Sequence, residues 1–159
     1  MIQRLSMMSN AELPIALRAA YLALHRQSDT QFAPHGITAD QFVLLATLQR
    51  GHALTQRELA RRMSSDPSTV RAMLVLLERR GLVRRIANST DSRARTVALT
   101  AAGKRKFREV WMAGEAIRVQ MQGTLRPKEF STLVGLLNRV AGALNSECVQ
   151  LGDPVSTQT

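Results

Sequence analysis

Two apolar rhythms run along this chain, first helical and then strand-like, before the helical one returns. Leu13, Leu17, Ala20, Tyr21 and Leu24 recur at helical spacing, which predicts a helix from about Asn10 to Phe32. Ala33-Pro34-His35-Gly36 breaks it. Thr38 then caps a second helix, with Phe42, Leu45 and Leu48 on one face and Gly51 just past its end. Thr55-Gln56-Arg57-Glu58 is a capping box: the threonine hydroxyl accepts one free backbone N–H and the glutamate reaches back to another. A short helix should run from there to about Met63. After the turn at Ser64-Ser65, Asp66-Pro67 opens another helix, because aspartate caps well and proline suits the first helical position. Val70, Met73, Leu74 and Leu77 form its buried stripe, and it should end near Gly81.

From there the period falls from 3.6 to 2. Leu82 to Ala87 reads as a strand, Asn88 to Ser92 as turn chemistry, and Arg95 to Leu99 as the returning strand of a hairpin. Thr100 caps a long helix from Ala101 to about Gly123. Pro127 opens a last helix striped by Phe130, Leu133, Val134, Leu137, Val140 and Leu144. The polar stretch 151–159 is expected to be a mobile tail. The expected class is mainly α with a small β-hairpin wing. A capped short helix, a tight turn, a second capped helix and a basic hairpin make a winged helix-turn-helix pattern.

Composition adds two constraints. Hydrophobic residues make up 45% and charged residues 21%, an ordinary globular balance, while only 4% are aromatic, so the cores must be aliphatic. The net charge of +10 is concentrated: Thr55 to Arg108 holds fourteen basic and four acidic residues, and the remainder is neutral. A concentrated basic segment points to a polyanionic partner. The single cysteine, Cys148, excludes an intrachain disulfide and suits a reducing cytoplasm. No apolar run approaches the roughly 20 residues of a membrane span. Met1 to Asn10 lacks the apolar stretch of a secretory signal, so a cytoplasmic location without membrane association is expected.

The second helix of the motif can lie in the major groove, where every base pair presents a different edge. Opposite its core stripe lie Ser68, Arg71, Ala72, Val75 and Arg79, with Thr69 at the edge near the N-terminus. Arg71 can donate two bonds to guanine, Ser68 and Thr69 can meet bases or phosphates, and Ala72 and Val75 can touch a thymine methyl. Alternatively, Ser68 and Thr69 merely support the cap. At the hairpin tip, Arg93 can enter a minor groove, with Asp91 as its support. Arg57, Arg61, Arg62, Arg84, Arg85 and Arg95 are expected phosphate partners. No GxSxG, glycine-rich phosphate loop or acid–base cluster suggests an enzyme, and no cofactor is expected. His25, His35 and His52 are scattered without CxxC or HxxxH spacing, so no metal site is expected.

Several runs together carry a family resemblance. Leu54-Thr55-Gln56-Arg57-Glu58-Leu59-Ala60, Asp66-Pro67-Ser68-Thr69-Val70 and Leu77-Glu78-Arg79-Arg80-Gly81-Leu82-Val83 resemble the MarR family of transcriptional regulators. So do Asp91-Ser92-Arg93 and Val97-Ala98-Leu99-Thr100-Ala101-Ala102-Gly103, over about Leu13 to Leu144. The resemblance implies a homodimeric repressor released from a pseudo-palindromic operator in double-stranded DNA by a small molecule, often an aromatic acid. It also implies a division of labour: 1–36 and 104–150 as helical dimerisation regions and 37–103 as the DNA-binding domain. Candidate ligand contacts are Arg18, His25 and His35 for a carboxylate, and Tyr21, Phe42 and Trp111 for a ring. Each is equally readable as core, surface or cap. The rival reading is an architectural DNA binder with little sequence preference and no effector, which the basic segment alone would permit.

Overall fold

Four capping residues set the element boundaries: Thr38, Thr55, Asp66 and Thr100 each accept a backbone N–H at the start of a helix. A computed structural model describes residues 2–87 and 95–150, with side chains over 11–87 and 95–145. The elements are α1 (Ile2–Phe32), a 3-10 turn (Ala33–His35), α2 (Ala39–Gly51), β1 (Ala53–Thr55), α3 (Gln56–Met63), α4 (Pro67–Arg79), β2 (Val83–Ala87), β3 (Arg95–Leu99), α5 (Ala101–Ala113), α6 (Glu115–Gly123) and α7 (Pro127–Gln150). They fall into two compact units, Met1–Ile117 and Arg118–Thr159. No helix among the described residues is long and apolar enough to cross a membrane.

Four boundaries depart from the sequence reading, each for a physical reason. The first helix begins at Ile2 rather than near Asn10. No glycine or proline precedes Pro14 to stop it, and the helix runs on through Pro14, which withdraws one N–H from the ladder and crowds the carbonyl four residues back. The helix expected from Ala101 to Gly123 is interrupted at Gly114, a residue with poor helix propensity. Gly51 is the last residue of α2, not the residue beyond it, and the left-handed backbone falls on His52 at φ 61. A Cβ at 51 would lie 2.8 Å from both Leu54 Cδ1 and Arg62 Nη1, so those side chains would have to shift to admit one. The strand β1 is an addition to the sequence reading, because three residues are too few to display a period of two.

With β1, the wing is a three-stranded antiparallel sheet in the order β1-β3-β2. Ala53 pairs with Ala98, Leu54 with Val97 and Thr55 with Thr96, while Val83 to Ala87 pair with Leu99 to Arg95. One face of the sheet contributes Leu54, Val83, Val97 and Leu99 to a core shared with Leu44, Leu45, Leu48, Leu59, Leu74 and Leu77. Burying each such side chain contributes about 1.5–3 kcal/mol. The start of α5 is fitted closely to this core. Thr100 donates its N–H to the Leu82 carbonyl at 3.1 Å and its hydroxyl to the Gly81 carbonyl at 2.6 Å. Gly103 follows, where a Cβ would stand 1.9 Å from the Leu82 oxygen.

The second unit is built differently. No described residue of α7 is buried, and Phe130, Leu133, Val134, Leu136, Leu137 and Leu144 are all exposed. Leu125, Lys128, Glu129, Thr132, Leu133 and Leu136 line a groove of about 450 Å³ along it. Arg126 and Glu129 close its first turn: the Arg126 N–H reaches Glu129 Oε2 at 2.9 Å and the side chains form an ion pair.

Candidate nucleic-acid interface

Local chemistry places α3 first. Glu58 Oε2 accepts both the N–H and the hydroxyl of Thr55 at 2.8 Å, and Thr55 Oγ1 accepts the Glu58 N–H at 3.2 Å. The Thr55 backbone bond is the largest cause holding the Glu58 carboxyl below its ordinary range. Gln56 Nε2 donates to the Pro67 carbonyl at 3.3 Å, which ties the first turn of α3 to the first turn of α4.

Asp66 organises the start of α4. Its carboxylate accepts the N–H groups of Ser68 at 2.8 Å and Thr69 at 3.3 Å, and the hydroxyls of both residues. The Ser68 and Thr69 hydroxyls are the leading causes that hold its pKa at about 2. The cap reading of Ser68 and Thr69 is therefore realised, and it has a consequence. A hydroxyl has one proton and two lone pairs. With the proton directed at Asp66, the lone pairs of Ser68 and Thr69 remain for another partner.

The other end of α4 is also anchored. Gly81 adopts φ 68 and its N–H returns to the Glu78 carbonyl at 2.9 Å. Arg80 Nη1 donates to the Gly36 carbonyl at 2.6 Å, so this arginine is committed to the fold. Between these ends Val70, Met73, Leu74 and Leu77 are buried. Ser68, Thr69, Arg71, Ala72 and Arg79 are exposed and Val75 is half-buried. The sequence reading missed Leu76, which is 49% exposed. It lies four residues beyond Ala72 and seven beyond Thr69, a helical spacing that would have found it.

The remaining candidates separate. Arg57, Arg61 and Arg62 are exposed on α3. Arg85 turns toward the end of α4 and pairs with Glu78 at 3.2 Å. Strand alternation sends Arg84 to the opposite face of the sheet. Arg93 and Asp91 lie outside the described residues.

Among the expected ligand contacts, Phe42 shares a ring contact with Trp111 and Tyr21 with His25. Phe42 packs against Phe32 at 4.9 Å and Phe107 at 5.8 Å between ring centres, with Trp111 at 6.3 Å. Tyr21 and His25 meet at 5.6 Å. The ring nitrogens of His25 face Asp29 at 3.2 Å and Asp40 at 3.5 Å. His35 meets Glu109 at 2.6 Å, beside Lys106 at 2.8 Å. The Lys106 and then the His35 hydrogen bonds hold Glu109 below the usual carboxylate range. Arg18 is exposed on α1. Both histidines thus already face carboxylates: the His35 pair spans 74 residues, whereas Asp29 lies one helical turn beyond His25. Among the described residues, no group of three His, Cys, Asp or Glu side chains is placed to hold a metal.

Comparisons with known proteins agree with this geometry. The MarR family model matches residues 37–94. The multiple antibiotic resistance protein MarR of Escherichia coli K12 is 30% identical over 109 residues, 68% of this chain and 76% of that protein. The crystal structure of a mutant MarR from E. coli complexed with operator DNA gives a TM-score of 0.72 at 27% identity and covers 80% of this chain and 92% of that one. The transcriptional repressor MdtR of Bacillus subtilis is 27% identical over 137 residues, 86% of this chain and 88% of that protein. NadR, solved in complex with 4-hydroxyphenylacetate, gives a TM-score of 0.74 at 25% identity over 82% of this chain and 92% of that one.

Proposed function

The chain belongs to the MarR family, and on that premise we propose that it is a sequence-specific repressor that binds a pseudo-palindromic operator as a homodimer. The observation that carries this reading is the outer face of α4. It is anchored at both ends, so the exposed Ser68, Thr69, Arg71, Ala72 and Arg79 are presented on a rigid support. Arg71 supplies donors suited to the guanine edge. Ser68 and Thr69 supply acceptors, which suit the amino groups of adenine and cytosine better than a phosphate oxygen. Ala72, Val75 and Leu76 supply apolar contact for a thymine methyl. Arg57 on α3 serves the phosphate backbone, and Arg93, with Asp91 in the role of support, serves the minor groove.

The homodimer is supported by the exposed apolar side chains of α7, which need a cover. On this reading, 1–36 and 104–150 mediate dimerisation, 37–103 reads DNA, and a two-fold axis sets the recognition helices about one DNA turn apart, roughly 34 Å. Release by a small aromatic acid is supported by the NadR complex and by Tyr21 and Trp111, exposed beside His25 and Phe42 respectively.

Competition binding tests the reading. Arg71→Ala should lose about 1–3 kcal/mol on a cognate duplex, about 5- to 150-fold, and little on a scrambled one. Equal loss on both duplexes overturns base reading. Diffuse occupancy of genomic DNA would instead be the behaviour of an architectural binder. For the effector, 4-hydroxyphenylacetate should raise the melting temperature and release the duplex. Failure of both removes the aromatic-acid part of the proposal.

A further inference from the structure

A second cavity lies on the face of the sheet that turns away from α4. It encloses about 230 Å³ between the end of α2, the sheet and the start of α5. Its floor follows from the strand register. Ala53 on β1 and Arg84 on β2 both pair with Ala98 on the central strand, so the three side chains stand in a row on one face. The two alanines leave a shallow space, and Leu48 at the end of α2 borders it. Around it stand His52, Arg84 and Lys104, and no carboxylate lines it. Among the described residues no carboxylate pairs with Arg84 or Lys104 either, whereas the neighbouring Arg85 is neutralised by Glu78.

Arg84 and Lys104 both line the cavity from exposed positions, and an imidazole stands with them. His52 also occupies the left-handed region at φ 61 and ψ −87, a backbone cost that a β-carbon-bearing residue rarely bears. We propose that this cavity is a binding site for a small aliphatic organic acid, its carboxylate held by Arg84 and Lys104 and its chain laid on Ala53, Ala98 and Leu48. The volume is below that of pockets for drug-sized ligands, and no Phe, Tyr or Trp ring lines it, which favours a short aliphatic body. The strand β1 leads from this cavity to Thr55, the cap of α3, so the occupant sits on the segment that positions the helix-turn-helix. The site is separate from the aromatic cluster around Phe42 and does not depend on how the chain reads DNA.

Methyl NMR of the full chain, labelled at alanine, tests the site with hexanoate as the probe. Saturable shifts of the Ala53 and Ala98 methyls are expected. Hexan-1-ol and hexylammonium should give none of comparable size. The double variant R84Q/K104Q should weaken hexanoate at least about tenfold, in line with the loss of charge-assisted hydrogen bonds. Ala98→Leu should abolish binding by filling the floor while leaving every charge in place. Unchanged methyl signals elsewhere in the core would show that both variants are folded. The proposal is overturned by an absence of saturation, by equal shifts from the alcohol or the ammonium, or by an unaffected double variant.

Discussion

Helices α4 and α7 expose opposite chemistries. Four apolar residues of α4 are buried in its own unit, both its ends are tied to neighbouring elements, and it offers solvent hydroxyls, guanidinium groups and small apolar side chains. None of the described residues of α7 is buried, and its exposed surface carries Phe130, Leu133, Val134, Leu136, Leu137 and Leu144. The first helix is structurally complete and chemically unsatisfied: its segment holds the whole net charge of the chain. The second is near neutral and structurally unsatisfied. A polyanion answers the first deficit and a second apolar surface answers the other. The two deficits are of different kinds, so they can be broken separately.

The largest effect is expected where α5 touches Leu82. Gly103→Ala forces a methyl onto a backbone oxygen, which cannot move as a flexible side chain can, and should cost about 3 kcal/mol or more. Calorimetry should show the melting temperature of the unit carrying α4 fall steeply. A drop within measurement error would mean that the approach of Gly103 to Leu82 is not a constraint.

A charge in the apolar stripe of α7 breaks the other side of the comparison. Leu133→Glu and Leu137→Glu should shift the chain toward monomer in sedimentation velocity and reduce binding to a full palindrome by about 100-fold or more, through lost multivalency. Binding to a single half-site should stay near its original strength. A dimer that survives both substitutions would remove α7 from the proposed interface.

A smaller effect separates the two roles of the α4 hydroxyls. Thr69→Val keeps the shape but removes the bond to Asp66 and the outward lone pairs. It should cost about 1 kcal/mol of stability and weaken selection of adenine or cytosine at one position. Lost stability with unchanged base selection would leave Thr69 as a cap alone. Smallest is a direct titration of Asp66. Its carboxyl should titrate near pH 2 instead of the ordinary 3.8. A depressed folded value stabilises the fold above about pH 4, and that contribution disappears as the pH falls through about 2. Carbon-13 NMR of the carboxyl group reports it, and a midpoint near 3.8 would mean that the cap is open in solution.

The contrast between short- and long-range chemistry also explains what was legible in the sequence. Thr55 with Glu58, Asp66 with Pro67, and Thr100 lie within a few residues of the groups they cap, so their spacing alone marked three helix starts. The inward stripe of α4 was legible for the same reason. Three features were hidden because their partners are distant or their signal is too short. The bond from Arg80 to Gly36 spans 44 residues. Gly103 looks like a poor helix residue until the Leu82 carbonyl is seen above it. The strand β1 acquires its meaning from β3, more than 40 residues later. His35 and Glu109, 74 residues apart, follow the same rule. Among the proposed base readers, Leu76 was overlooked although its spacing was local, because an apolar residue beside a core stripe reads first as core.

Selection from a randomised duplex library, with the purified full chain and its Arg71→Ala variant run in parallel, measures base reading by α4 directly. The expected result is a two-fold symmetric consensus with half-sites about one helical turn, or about 10 base pairs, apart, in which Arg71→Ala loses preference at one guanine per half-site. Recovery of no consensus, or of the same consensus from both proteins, would contradict it.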